Sequence, residues 1–267
     1  MSKRLIVFTG KGGVGKTSLA IATTLYLKNL GKNVLYNNFD QFPNYGLCDR
    51  LSVPHLDLEL EESAVEYMAQ KLGSHLIATW IMKTPFFASL LHMLPGLGHI
   101  IVMGHIINKL EKDPSLTVIL DSPSSGHAMT MFESTHNFKK IFGSGLLFQD
   151  LNRMQEFLLD KSKTSINIVT IPTEMAVHEA QDLKASFLSL GLNDIRLILN
   201  SSLPDNSHLT EERIKEFPDF LKKKYDLEKE IIDQYSDLFV KRYAHVVTTE
   251  AHQVISELSS QMKEASL

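Results

Sequence analysis

Short apolar runs alternate along the chain with longer segments in which apolar residues recur at helical spacing. The alternation of strands and helices is typical of a parallel sheet covered by helices. The pattern therefore predicts an α/β fold with a mostly parallel sheet flanked by helices. The predicted strands are Arg4–Phe8, Asn33–Phe39, Leu116–Leu120, Ile166–Ile171, Ile195–Leu199 and His245–Thr248.

The connection between the second and third predicted strands is unusually long. It runs from Asp40 to Asp121, about 80 residues, which is far beyond an ordinary crossover. Its periodicity predicts an inserted helical subdomain over approximately residues 50–112, and a second helical stretch is predicted at approximately 126–162. We interpret residues 1–267 as a single domain with these insertions. The predicted helices of the insert are Glu61–Leu72, Ser74–Met82, Phe86–Leu94 and Gly98–Glu111.

The first predicted strand leads into a glycine-rich segment with a specific chemical signature. Residues 10–18 read GKGGVGKTS and match the phosphate-binding pattern G-x-x-x-x-G-K-[ST], followed directly by a helical pattern. In such a loop, backbone N–H groups and the helix start bind phosphate, Lys16 reaches the β- and γ-phosphates, and the Thr17 hydroxyl binds Mg²⁺. The sequence thus predicts a P-loop NTPase. The residues expected to contact the nucleotide are Gly10, Lys11, Gly12, Gly13, Val14, Gly15, Lys16, Thr17 and Ser18.

A carboxylate closes the third predicted strand. Asp121 follows the apolar run Leu116–Leu120, and ligands of open α/β sheets bind beyond the carboxyl ends of the strands. A carboxylate in this position can hold Mg²⁺ directly or through water. We therefore expect Asp121 to act together with Thr17 at the metal.

An additional lysine narrows the class of P-loop. The string from Lys11 to Thr17, KGGVGKT, resembles the deviant P-loop of the SIMIBI-class ATPases that include MinD, ParA, the nitrogenase iron protein and the arsenite-pump ATPase ArsA. The resemblance implies a homodimer with ATP at the interface, in which Lys11 crosses to the partner's phosphates and acts in catalysis beside Lys16. The alternative is that Lys11 is a solvated side chain that adds only general attraction for phosphate.

The segment after Asp121 favours the branch formed by ArsA and the tail-anchored-protein-targeting ATPase. Asp121–His127 reads DSPSSGH and resembles the DTAPTGH switch of that branch, with the same spacing from Asp to Gly-His. Met93–Leu97 and Thr170–Met175 are similar to the branch's M-(I/L)-P-G-(I/M) and I-P-E segments. The matches follow the same order and cover most of residues 3–200.

Asp40 follows the second predicted strand. The resemblance implies that this residue is the acid that orients the attacking water. It also makes Asp40 an expected metal ligand beside Thr17 and Asp121. The switch after Asp40 departs from the branch's pattern, because it lacks the adjacent Pro-Ala-His and is two residues longer. The altered segment is expected to change the geometry of the switch and therefore the rate of hydrolysis. Asp49 is the alternative candidate for the water-orienting role.

Asn200 follows the strand Ile195–Leu199 and resembles the asparagine with which the branch reads adenine. An amide donates and accepts at the same time, which matches the N6/N7 edge of adenine. The guanine-reading pattern N-K-x-D is absent, because Ser201 and Ser202 follow Asn200. The sequence therefore predicts ATP as the nucleotide.

Composition limits the partners and excludes two functions of the family. The net charge of −4 gives no electrostatic basis for binding nucleic acid. The single cysteine, Cys48, excludes an internal disulfide framework and predicts a cytoplasmic location. One cysteine also cannot reproduce the zinc-binding C-x-x-C motif of the targeting ATPase or the arsenite site of ArsA.

The apolar stretch at residues 86–107 is not predicted to be a transmembrane segment, because Pro95, Gly96 and several histidines interrupt it.

The sequence leaves two classes of function open. In the first, apolar helices of the insert bind a hydrophobic helix of a client protein as ATP opens and closes the dimer; the alternative is that these residues form only the core of the subdomain. In the second, the protein is a MinD/ParA-like spatial organiser on a membrane surface or polar complex, although the polar face of its last helix is acidic.

Overall fold

The computed structural model describes residues 3–39, 45–58, 60–85, 96–123, 125–142 and 144–262. The strands are β1 (Leu5–Gly10), β2 (Val34–Asn38), β3 (Thr117–Asp121), β4 (Thr164–Thr170), β5 (Ile195–Ser202) and β6 (Phe239–Ala244). They form one six-stranded sheet in the order β2-β3-β1-β4-β5-β6. All neighbouring strands are parallel, which confirms the predicted fold class.

Helices cover both faces of this sheet. Within the described residues they are α1 (Lys16–Asn29), α2 (Gly46–Arg50), α3 (Leu60–Leu72), α4 (His75–Met82), α5 (Leu97–Lys112), α6 (Ser125–Phe142), α7 (Leu146–Leu159), α8 (Glu174–Ser189), α9 (Glu211–Lys215), α10 (Asp219–Gln234) and α11 (Ala251–Ser260), with a 3₁₀ turn at Ser236–Leu238. None of them is long and apolar enough to cross a membrane.

The central strands β3, β1 and β4 are buried along their whole length, which explains why they read as continuous apolar runs. Successive side chains of a strand point to opposite faces. Leu5 and Val7 therefore join a cluster with α5, α6, α7 and α8. Ile6 and Phe8 join a second cluster with α1 and α11. The two clusters fix the sheet from both sides and so position the loops at its carboxyl edge.

The long connection between β2 and β3 is helical where it is described. The helix α3 packs against both α4 and α5, and a Cβ added to Gly104 of α5 would come within 2.8 Å of the Tyr67 ring of α3. Three of the predicted helices correspond to α3, α4 and α5 within one residue at each end. The predicted helix Phe86–Leu94 lies outside the described residues.

The sixth strand lies earlier in the chain than the sequence predicts. The prediction placed it at His245–Thr248, whereas β6 spans Phe239–Ala244. β6 forms an edge of the sheet, and its Lys241 and Arg242 interrupt the apolar pattern, as charged residues commonly do on edge strands. Val247, in the predicted strand, is 80% exposed. The prediction was wrong because it followed apolar residues that the fold does not bury.

Candidate active site

The P-loop connects β1 to α1, and two of its glycines occupy positions that exclude a side chain. Gly10 has φ 138°, and a Cβ there would lie 2.3 Å from the backbone oxygen of Val169 in β4. Gly15 has φ 91° and precedes α1, and its Cβ would lie 2.3 Å from Nδ2 of Asn200 in β5. L side chains rarely adopt these conformations. The two glycines therefore set the path of the loop against its neighbouring strands.

The middle of the loop leaves room for an anion. A Cβ at Gly12 or Gly13 would meet no atom within 4 Å. The helix α1 begins directly afterwards, so Thr17 and Ser18 lie in its first turn. The N–H groups of a first helical turn and the helix dipole attract phosphate. The middle glycines and the helix start are thus neighbours in the chain, and neither glycine is crowded by another part of the protein.

The Lys16 ammonium lies across this loop. It donates a hydrogen bond to the backbone carbonyl oxygen of Lys11 at 2.9 Å. Burial lowers the pKa of Lys16 from its usual range, and attraction by the Asp121 carboxylate acts in the opposite direction. A partly desolvated cation interacts more strongly with a bound anion than a fully hydrated one does. Lys16 is therefore well placed to bind phosphate.

The carboxylate of Asp121 lies at the end of β3 and is only 4% exposed. Its Oδ2 accepts a hydrogen bond from the Thr17 hydroxyl at 2.6 Å. The same oxygen accepts a second hydrogen bond, from the Tyr36 hydroxyl of β2 at 3.0 Å. Two of the three residues that the sequence predicts to act at a metal, Thr17 and Asp121, are thus in direct contact. Tyr36 is an additional partner of Asp121 that no sequence pattern indicates.

The donor set beside the loop suits a hard cation. Hydroxyl and carboxylate oxygens, completed by water and phosphate oxygens, are the ligands that Mg²⁺ takes in nucleotide sites. Within the described part of the chain, no group of three His, Cys, Asp or Glu side chains is placed to bind a metal ion by itself. Cys48 is a buried free thiol whose pKa burial raises to about 12. The oxygen atoms of Thr17 and Asp121 therefore fit Mg²⁺, and the thiol is in its protonated form at neutral pH.

Asn200 lies inside β5 and not at its end, because β5 continues to Ser202. Its side chain is buried, and Nδ2 donates to the backbone oxygen of Val14 at 2.9 Å. One hydrogen of the Asn200 amide is thus used to support the P-loop. The same amide carries a second hydrogen and an acceptor oxygen, which are the groups that contact a base in the predicted role. The residue predicted to read the base is therefore attached to the loop predicted to bind the phosphates.

The side chain of Lys11 is half exposed and contacts its own chain. Its Nζ forms an ion pair with Oε1 of Glu179 in α8 at 2.7 Å, and the two side chains are 49% and 45% exposed. Exposed ion pairs of this kind contribute about 0–1 kcal/mol. The contact therefore orients Lys11 without holding it firmly.

Asp40 lies outside the described residues, as does the segment that follows it up to residue 44. Phe39, the residue before it, donates its backbone N–H to the carbonyl oxygen of Asp121 at 3.0 Å. The alternative acid, Asp49, belongs to α2, and its side chain is 67% exposed and 3.8 Å from Nδ1 of His55.

One family matches this loop together with nearly the whole chain. The sequence profile of the anion-transporting ATPase family, ArsA_ATPase, matches residues 3–148 and 146–260. The chain belongs to this family. This ATPase is therefore an ATP-hydrolysing enzyme with a nucleotide substrate, and the resemblance to the ArsA and targeting branch is confirmed.

Several curated relatives show the same relationship at low identity. This ATPase is 24% identical to the putative arsenical pump-driving ATPase 1 of Aquifex aeolicus, over 88% of its own length and 71% of that protein. It is 24% identical to the arsenical pump-driving ATPase of Escherichia coli, over 74% of its length and 35% of that protein. It is 23% identical to ATPase GET3B of Arabidopsis thaliana, over 77% of its length and 66% of that protein.

Proposed function

We propose that this ATPase is a Mg²⁺-dependent homodimer that hydrolyses ATP at the subunit interface and uses the cycle to bind and release a protein client. The observation that carries the proposal is the contact between Thr17 and the buried Asp121 carboxylate, beside Lys16 and the P-loop. These groups combine an anion site with oxygen ligands for a cation. The similarity to ATPase GET3B and to pump-driving ATPases supports the same class of mechanism.

Each residue has a distinct part in this mechanism. Thr17 and Asp121, with Asp40, would hold Mg²⁺, which neutralises charge on the β- and γ-phosphates. Lys16 and the N–H groups of the loop bind the same phosphates. Asp40 orients the attacking water, and Lys11 of the partner subunit stabilises the charge that develops in the transition state, as an arginine finger does.

Nucleotide choice is expected to depend on Asn200. ATP should outcompete GTP in direct binding competition, and Asn200→Ala should reduce this preference, since a good bidentate contact to a base contributes about 1–3 kcal/mol of discrimination. Because Asn200 also supports Val14, the variant should bind all nucleotides more weakly.

Asn206→Ala is the matched control, since the Asn206 amide donates to the backbone oxygen of His245 at 3.1 Å and not to the P-loop. This variant should keep the wild-type preference. Stronger binding of GTP than of ATP to the wild-type protein would contradict the assignment of Asn200.

The client proposal rests on an exposed apolar face of α4. Leu76, Ile77 and Trp80 are 84%, 51% and 72% exposed. Their spacing places them within about 100° of the helix circumference, while Ala78 on the opposite side is buried. The helix packs against α3 and so presents this face outward. Contiguous exposed apolar surface indicates a binding site, and an apolar helix is the occupant that such a face fits.

The single tryptophan of the chain is a direct reporter of this site. Adding a hydrophobic helical peptide should shift the emission of Trp80 to shorter wavelength, because the indole leaves water. Leu76→Gln should weaken binding of the peptide roughly tenfold, as expected for the loss of one buried leucine contact. The peptide affinity would be measured by titrating Trp80 fluorescence.

Leu227→Gln provides the matched control, because Leu227 is 62% exposed but belongs to α10. Equal weakening by both glutamine variants, or an unchanged Trp80 spectrum, would contradict a client site on α4. Nucleotide-dependent binding to anionic vesicles without any response to the peptide would favour the spatial organiser instead.

A further inference from the structure

Tyr36 is a buried polar residue in the middle of β2. It is 1% exposed, and its hydroxyl donates to Oδ2 of Asp121 at 3.0 Å. The register of the sheet pairs Tyr36 with Ile119, two residues before Asp121. The length of the tyrosine side chain thus carries its hydroxyl to the carboxyl end of the neighbouring strand.

The Tyr36 hydroxyl is a permanent donor in this environment. The hydroxyl lies 3.0 Å from Oδ2 of Asp121 in a buried environment. A protonated phenol facing a carboxylate donates its hydrogen. A buried hydroxyl without a partner would cost free energy. The hydrogen bond from the Tyr36 hydroxyl to Asp121 avoids this cost.

We propose that Tyr36 is a positioning residue that fixes the Asp121 carboxylate for Mg²⁺. This inference rests on the proposed function, in which Asp121 and Thr17 hold the metal. Both hydroxyls donate to the same oxygen of Asp121, but Thr17 is itself a proposed metal ligand, whereas Tyr36 is not. Hydrogen bonds from outside the ligand set orient metal-binding carboxylates, and their loss typically costs about 10–100-fold in metal affinity.

The ring of Tyr36 also packs against Tyr45, the residue that precedes α2. It meets the Tyr45 ring edge-on, with centroids 6.1 Å apart. The Tyr45 hydroxyl donates to the backbone oxygen of Leu56 at 2.9 Å and not to Asp121. The two tyrosines therefore share ring packing but differ in the acceptor of their hydroxyl, which makes Tyr45 a matched control.

The test measures binding of Mg²⁺ by thermal stability, independently of turnover. Wild-type protein saturated with ADP is titrated with MgCl₂, and the rise in Tm with Mg²⁺ gives the midpoint of metal binding. Tyr36→Phe should need about 10–100-fold more Mg²⁺ to reach the midpoint, while Tyr45→Phe should keep the wild-type midpoint. In an Asp121→Asn background, Tyr36→Phe should have no further effect, because the hydroxyl acts through that carboxylate.

The outcomes separate this inference from the proposed function. A wild-type midpoint in Tyr36→Phe, with a lost Mg²⁺ response in Asp121→Asn, would overturn the inference alone. An equal change in both phenylalanine variants would assign the effect to ring packing and overturn it as well. A full Mg²⁺ response in Asp121→Asn would overturn the metal assignment itself, and the inference with it.

A second measurement keeps the hydroxyl in place, in case Tyr36→Phe does not fold. With 3-fluorotyrosine at position 36, the ¹⁹F resonance should move during the same MgCl₂ titration, with the midpoint given by Tm. The same label at position 45 should move less. A ¹⁹F resonance at position 36 that ignores Mg²⁺ would overturn the inference.

Discussion

Asp40→Asn is expected to leave ATP binding intact and to slow hydrolysis by about 10²–10⁴-fold. A carboxylate orients the attacking water and accepts its proton, whereas an amide of the same size has no basic oxygen. Phe39, which precedes Asp40 in the sequence, donates its backbone N–H to the backbone carbonyl oxygen of Asp121 at 3.0 Å. Steady-state phosphate release and binding of a fluorescent ATP analogue measure the two effects separately.

Two further variants serve as controls for the prediction on Asp40→Asn. Lys16→Ala should lose nucleotide affinity, because the ammonium binds the ground-state phosphates. Asp49→Asn should hydrolyse ATP at nearly the wild-type rate, because the Asp49 side chain is 67% exposed and 3.8 Å from His55. Wild-type turnover in Asp40→Asn together with loss of turnover in Asp49→Asn would transfer the water-orienting role to Asp49.

The parts of the fold that were predictable are those with strong local patterns. β1, β3 and β4 are buried on both faces and therefore read as uninterrupted apolar runs. β6 has a neighbour on one side only, and its exposed positions carry Val240 and Arg242. Lys241 and Arg242 interrupt its apolar pattern, whereas the two adjacent valines of the following segment, Val246 and Val247, drew the prediction to His245–Thr248.

The same distinction applies to the site. Thr17 and Asp121 belong to recognisable local patterns, and in the structure the Thr17 hydroxyl lies 2.6 Å from Oδ2 of Asp121. Tyr36 follows Val34 and Leu35 in β2 and reads as a core residue, so the pairing of β2 with β3 was needed to reveal its contact with Asp121. Glu179 is 168 positions from Lys11, and no local pattern links the two. Contacts between residues that lie far apart in the sequence and belong to no motif can be identified only in the folded structure.

Lys11→Ala is expected to abolish turnover while leaving ATP binding to each subunit largely intact. A cation supplied by the partner to the transition state contributes about 10³–10⁵-fold in comparable phosphoryl-transfer enzymes. In the structure Lys11 pairs with Glu179, and both side chains are about half exposed. This weak contact can be exchanged for phosphate at little cost, so Glu179→Gln should retain activity. ATP should also promote association of the wild-type protein, as measured by analytical ultracentrifugation.

Mixing Lys11→Ala with Asp40→Asn distinguishes action across the interface from action within one subunit. In a mixed dimer, the site built on the Lys11→Ala subunit keeps its own Asp40 and receives an intact Lys11 from the partner. The other site has both defects. Since half of the dimers are mixed at equal ratio and one of their two sites is intact, about a quarter of the wild-type activity should return.

The outcome is informative in both directions, because neither variant alone should hydrolyse ATP at an appreciable rate. Recovery that follows the fraction of mixed dimers would require Lys11 to act on the nucleotide of the partner subunit. Absence of recovery, with subunit exchange confirmed by fluorescence transfer between labelled subunits, would mean that Lys11 acts in its own subunit or that both sites must fire together. Hydrolysis by a strictly monomeric protein at every concentration would contradict the dimeric mechanism itself, since no partner would then be available to supply the lysine.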